Sequence, residues 1–136
     1  MANTSATVLT LLIAWALLLV VLMEILRGRL VASGRIAGDE FKPDNSNLSP
    51  FMQRLARAHA NCIEGLPIFG GLLVVALLTD RAGVTDSLAP WLLLARIVQS
   101  GAHLTSRSVL AVNVRFLAFV VQMLIAGYWC WALLVR

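Results

Sequence analysis

Arg57, Asn61 and Glu64 stand at i, i+4 and i+7, which puts a cation, an amide and a carboxylate along one face of a helix. Two more sets follow the same rule. Arg96, Gln99 and His103 are spaced i, i+3, i+7, and Arg115 and Gln122 are spaced i, i+7 with Phe119 between them. Fixed cations, one carboxylate, amides and an imidazole suit a small, polar, anionic ligand. The two cysteines, Cys62 and Cys130, have neither metal-ligand spacing nor a disulfide pattern. They read as small apolar residues, and no metal is expected. His59 and Cys62 fall off the Arg57 face, so His59 reads as interfacial and Cys62 as packing.

The segments that carry these residues are apolar. Of 136 residues, 60% are hydrophobic and 13% charged, with mean hydropathy +0.84. A soluble domain has about 25% charged residues, so the chain reads as an integral membrane protein. The net charge of +4 and pI near 10.0 would suit nucleic acid in a soluble protein. Here the basic residues cluster at the ends of apolar segments, which points to anchoring at a membrane face and excludes nucleic acid. The expected architecture is a single all-α domain, 1–136, a bundle of four transmembrane helices at about 7–30, 50–79, 87–106 and 109–135. No basic stretch precedes Val8, so the first segment reads as a retained helix rather than a cleaved signal.

Residues 31–49 form the one long polar stretch and read as a loop. Ser49 and Pro50 read as the N-cap and first residue of the second helix, which Pro67 is expected to kink. Gly70 and Gly71 suit close helix packing. Tyr128, Trp129 and Trp131 read as an interfacial aromatic belt, with Trp91 at the same interface. Arg27, Arg29, Arg35, Lys42, Arg54 and Arg57 surround the first loop, and Arg107 and Arg115 the third. Only Arg81 and Arg136 fall on the other side. Basic residues favour the cytoplasmic face, so both termini are expected outside, in a multi-pass protein of the bacterial inner membrane.

Depth decides whether the stripes can meet. Counting about 1.5 Å per residue from helix ends near Asp80, Asp86 and Arg136, Glu64 lies roughly 24 Å in, His103 roughly 26 Å, Asn61 roughly 28 Å and Arg115 roughly 32 Å. All four fall near the cytoplasmic boundary of a hydrocarbon core about 30 Å thick. Arg96, roughly 15 Å in, is the deepest charge. It needs a counter-charge, and Glu64 is the expected partner. The cluster would form a cleft open to the cytosol beside an apolar wall.

The segment from Arg57 to Glu64, RAHANCIE, followed by Pro67 and Phe69, resembles the R-A-x-x-N-x-x-E signature of the MAPEG family (membrane-associated proteins in eicosanoid and glutathione metabolism). Four helices of this length, a long first loop, an arginine inside segment three and an arginine opening segment four extend the likeness over nearly the whole chain. It resembles a divergent bacterial-type member. The resemblance implies a homotrimer that binds glutathione between subunits near the cytosolic side and acts on a lipophilic substrate reached from the bilayer. By position it makes Arg115 the arginine that stabilises the glutathione thiolate, with Arg107 as rival because the spacing from His103 to Arg115 is long. Asn61, Glu64, Arg96, Gln99, His103 and Arg57 would hold the peptide. A cation beside a thiol raises its thiolate fraction, which is what transferase or peroxidase chemistry needs. Enzymes of this type often have tyrosine where His103 stands and near Phe119. Their absence leaves a non-catalytic lipid- or partner-binding protein of the same fold as the alternative. A small exporter using Glu24 or Glu64 as a proton-coupled carboxylate is a third reading.

Overall fold

The computed structural model describes residues 3–135. Arg136, counted above among the outer charges, lies outside them, as do Met1 and Ala2. Four α-helices follow in order: α1 (Thr4–Ala32), α2 (Pro50–Leu78), α3 (Ala89–Thr105) and α4 (Val109–Val135), with a single 3-10 turn, Ala82–Val84, between α2 and α3. Among the described residues there is no strand.

Three helices, α1, α2 and α4, are long and apolar enough to cross a membrane. Each has 27 to 29 residues. From Val8 to Met23 α1 is apolar all round except for Thr10, as a lipid-embedded helix should be. It buries Val8, Leu12, Ala16, Leu19 and Met23 along one stripe and leaves Leu11, Leu17, Leu18 and Val21 facing out. α3 is different. Its 17 residues fall short of the roughly 20 an ordinary span needs. It turns Arg96, Gln99, Ser100 and His103 inward while Trp91, Leu94, Ile97 and Val98 remain exposed. The exposed side of α3 is therefore apolar and its buried side polar.

Local chemistry sets the helix ends. The Asn3 side chain accepts from the Ala6 amide, and Ser49 Oγ accepts from the Met52 amide at 3.3 Å, with Pro50 opening α2. α2 continues as one helix through Pro67. It ends at Thr79, and Asp80 beyond it has φ of 56°. Gly70 approaches α1, since a Cβ there would meet Leu9 Cδ1 at 3.2 Å, whereas Gly71 faces open space. Of the two glycines read as packing residues, Gly70 packs within the chain.

Two apolar cores divide the bundle. One unites Val8, Leu12, Phe69, Leu73, Leu92 and Trp129, toward the end that holds the start of α1 and the finish of α4. We call this the terminal end. The other unites Ala16, Leu19, Met23, Met52, Leu55 and Cys62, toward the end that holds the α1–α2 loop. We call this the loop end. Trp129 corrects the expected aromatic belt: it is wholly buried in the first core, while Tyr128 and Trp131 are exposed with ring centroids 6.4 Å apart. Trp91 is exposed too.

Polar contacts tie both ends. At the terminal end Asp86 accepts from the Ser5 amide at 2.9 Å and from Ser5 Oγ at 2.6 Å. Arg81 donates to the carbonyls of Ala132 and Leu133 in the last turn of α4, groups with no partner inside the helix. At the loop end the Arg27 guanidinium donates to Asn45 Oδ1, Lys42 O and Glu24 Oε1. Asn45, fully buried with φ of 55°, donates onward to Met52 O at 2.8 Å. These bonds fold the loop back against the start of α2.

Candidate functional site

The three polar stripes meet in pairs. Between α2 and α3, Arg96 Nη1 donates to Asn61 Oδ1 at 2.5 Å and to Asn61 O at 3.2 Å. Its guanidinium carbon lies 5.4 Å from the centroid of the Phe69 ring. Arg96 is 4% exposed, so the charge is closed inside the chain. The expected Arg96–Glu64 pair does not form: Arg27–Glu24 is the single ion pair among the described residues. The reason is angular. At about 100° per residue, Asn61 and Glu64 differ by roughly 60° around the helix. Asn61 borders the buried arc of Ala58, Cys62, Gly65 and Phe69, and Glu64 points out of the chain and is exposed.

Gly65 makes the Arg96 position possible. A Cβ there would collide with Arg96 Nη2 and lie 2.9 Å from Phe69 Cε2. The guanidinium thus lies in a notch on α2. One turn away, Cys62 Sγ and Ser100 Oγ are 3.3 Å apart, and Ser100 Oγ donates to Arg96 O. Cys62 therefore packs against the polar seam between α2 and α3, as well as against its apolar core. Residue types had drawn attention to Asn61 and Arg96 but not to Gly65 or Ser100. The spacing Asn61, Gly65, Phe69 at i, i+4, i+8 was the available signal.

Between α3 and α4 two amides and an imidazole are engaged. Gln122 Nε2 donates to Gln99 Oε1 at 2.8 Å and to Ala118 O at 3.0 Å. Gln99 is 3% exposed and Gln122 is fully buried, so this pair seals the α3–α4 contact. Toward the loop end, Arg115 Nη1 lies 3.0 Å from His103 Nδ1. A guanidinium only donates. His103 Nδ1 must then be the acceptor, and the ring is the neutral tautomer with its proton on Nε2. Arg115 is half-buried, held by a buried imidazole.

The end of α3 is fixed from α2. Arg54 Nε donates to Leu104 O at 3.0 Å, satisfying a last-turn carbonyl. Arg107, exposed in the α3–α4 turn, donates to Gln53 Oε1 at 3.2 Å. A cavity of about 360 Å³ opens here, lined by Arg57 and Arg107 on one side and by Asp44 and Ser46 of the loop on the other. The Ser46 backbone amide, donating to Asp44 Oδ1 at 3.0 Å, holds the Asp44 carboxyl below the usual aspartate range.

The chain thus separates residues that the sequence grouped. Arg96, Gln99 and Gln122 are closed off inside, with Asn61 at their edge. Arg57 and Glu64 face outward from α2. Arg115 stands between, braced by His103, and Arg107 lies at the rim. His59 is half-buried and makes no side-chain hydrogen bond. Among the described residues, no three of His, Cys, Asp and Glu come together to hold a metal ion.

A model of the MAPEG family matches residues 5–135, nearly the whole chain. No curated protein and no solved structure matches it.

Proposed function

The chain belongs to the MAPEG family, and on that premise we propose that it is a glutathione-dependent membrane enzyme, of transferase or peroxidase type, acting on a lipophilic substrate. The family includes glutathione-dependent enzymes and non-enzymatic members, so the reading rests on this chain's own residues. The observation that carries it is the division of the polar stripes. Arg57 and Glu64 are unsatisfied by the chain and exposed on a helix that belongs in a membrane. A carboxylate in that setting is costly unless it faces protein or a polar cavity. A neighbouring copy would supply the protein, and glutathione, with an amine and two carboxylates, would supply the ion pairs.

The assembly proposed is a homotrimer with its sites between subunits at the loop end, and that end in the cytosol. Glu64 would take the ligand's amine, and Arg57 a carboxylate. Arg115 would face the thiol and hold it as thiolate, which is the nucleophile. His103 gives Arg115 over Arg107 the better claim, because the imidazole fixes the guanidinium while Arg107 is held at the rim by one amide. Asn61 and Gln99 act on this reading through the helices they join, with Asn61 setting Arg96 and Gln99 setting α4. The apolar groove between α3 and α4, about 330 Å³ and lined by Trp91, Leu94, Val98, Leu117 and Val121, would receive a lipophilic substrate from the bilayer.

The test is conjugation of an electrophile, or reduction of a lipid hydroperoxide, by purified protein and glutathione. Arg115→Ala should lower kcat about 10²–10³-fold, the cost of losing one preorganised stabiliser of developing charge. Arg107→Ala should leave kcat within a few fold. The reverse ranking, or no turnover at all, defeats the assignment.

One observation favours a second reading, a non-catalytic lipid- or partner-binding protein on the same fold. The chain's one tyrosine, Tyr128, lies at the terminal end, far from Arg115. Glutathione binding without turnover would establish that alternative.

A further inference from the structure

A second cavity at the loop end is chemically unlike the first. It measures about 490 Å³ and lies where the end of α1, the loop and the start of α2 meet. Leu26, Leu30, Phe51 and Met52 line it together with Arg29 and Arg35. Both arginines are exposed, and neither has a carboxylate within ion-pair distance among the described residues. Arg27, between them and the bundle, is fully committed to Asn45, Lys42 O and Glu24. Two cations are therefore left over beside an apolar hollow.

Depth along α1 places Arg29 in the headgroup layer, and Arg35 lines the same cavity. Arg29 is 25 residues beyond Thr4 on one continuous helix, about 38 Å along its axis. The hydrocarbon core is about 30 Å thick and the whole bilayer, with headgroups, about 40–45 Å. A site there lined by cations together with leucine, phenylalanine and methionine matches an amphiphile. An anion meets the guanidinium groups, and the first carbons of a chain meet the hollow.

We propose that this cavity binds an anionic phospholipid of the surrounding membrane, its phosphate held by Arg29 and Arg35 and its upper acyl chain lying against Leu26, Leu30 and Phe51. Guanidinium groups suit phosphate because their planar fork donates two parallel hydrogen bonds. The lipid would also brace the loop that Arg27 and Asn45 fold back, and so steady the wall that carries Asp44.

The full chain is purified in a zwitterionic detergent and titrated with phosphatidylglycerol, with phosphatidylcholine, with inorganic phosphate and with glutathione. Bound lipid is read by native mass spectrometry. Two surface cations should give roughly a thirtyfold preference for phosphatidylglycerol over phosphatidylcholine. Arg29→Gln with Arg35→Gln should abolish that preference, and Lys42→Gln, which removes one cation elsewhere on the loop, should keep it. Arg29→Lys with Arg35→Lys should retain the part that charge alone supplies, which separates loss of charge from loss of folding. Equal binding of both lipids, or an unchanged preference in the glutamine pair, overturns the proposal. So does displacement of the lipid by millimolar inorganic phosphate, which would mark a free-anion site. Displacement by glutathione would assign the cavity to the thiol-peptide site, whereas lipid preference with no glutathione binding would leave this proposal standing and the enzymatic reading fallen.

Discussion

The two ends of the bundle solve opposite problems. At the terminal end Trp129, Leu73, Leu92 and Phe69 interlock with almost no exposure, and every polar device there closes a helix end: Asp86 on the start of α1, Arg81 on the finish of α4. At the loop end the polar groups outnumber the closures. Arg57, Glu64 and Arg107 are exposed, Arg115 is half-buried, and two cavities flank the loop. In a bilayer, lipid competes with protein for apolar surface, so helices are held by close packing and internal hydrogen bonds. The terminal end spends its residues on that. The loop end leaves charge unsatisfied, which is useful only where a ligand or a second copy completes it.

The largest test of this contrast is Trp129→Ala. It should cost about 3–5 kcal/mol of stability, read as a fall in the thermal midpoint in detergent, while glutathione affinity at low temperature stays within about twofold. A matching loss of affinity would show the two ends to be one unit.

Gly65→Ala comes next. The added methyl must push the Arg96 guanidinium out of its notch and shift the Phe69 ring, an overpacking cost of about 1–3 kcal/mol. Because Arg96 then loses Asn61, this change should lower both stability and affinity, marking the seam where the ends join. Gly71→Ala, facing open space, should do neither.

Asp86→Ala removes the acceptor for the Ser5 amide and hydroxyl and should cost about 1 kcal/mol, with no effect on ligand binding. The smallest effect concerns the loop. Asp44 has its carboxyl held below the ordinary value, so its contribution is complete at neutral pH and is lost only as pH falls through that depressed value. Amide exchange at Ser46 should stay protected down to that acidic range. Asp44→Asn should remove the pH dependence, and protection that instead changes near neutrality would contradict the assignment.

Much of this was legible in the residues. The four-helix, all-α membrane fold follows from apolar runs and their polar breaks, and the family from the segment Arg57 to Glu64. What a one-dimensional pattern hid was direction. Asn61 and Glu64 share a stripe by spacing, yet a rotation of roughly 60° sends one to Arg96 and the other outward. The stronger attraction of a carboxylate for Arg96 lost to that geometry. Trp129 misled in the same way. Its neighbours Tyr128 and Trp131 do face outward, but Trp129 continues the buried row of Gln122, Ile125 and Ala126. Reading that row would have placed it in the core. Gly65 could not be weighed without knowing which side chain crossed α2 at that height.

The central claim is that the loop end is completed by glutathione. It is tested most directly by the thermal midpoint of the purified protein with and without glutathione, in the wild type, Glu64→Ala and Arg115→Ala. At a hundredfold excess over Kd, the wild type should gain about 2.7 kcal/mol of stability. Both variants should melt near the wild type without ligand and lose most of that gain. A wild type that glutathione does not stabilise, or variants stabilised as fully as the wild type, would contradict it.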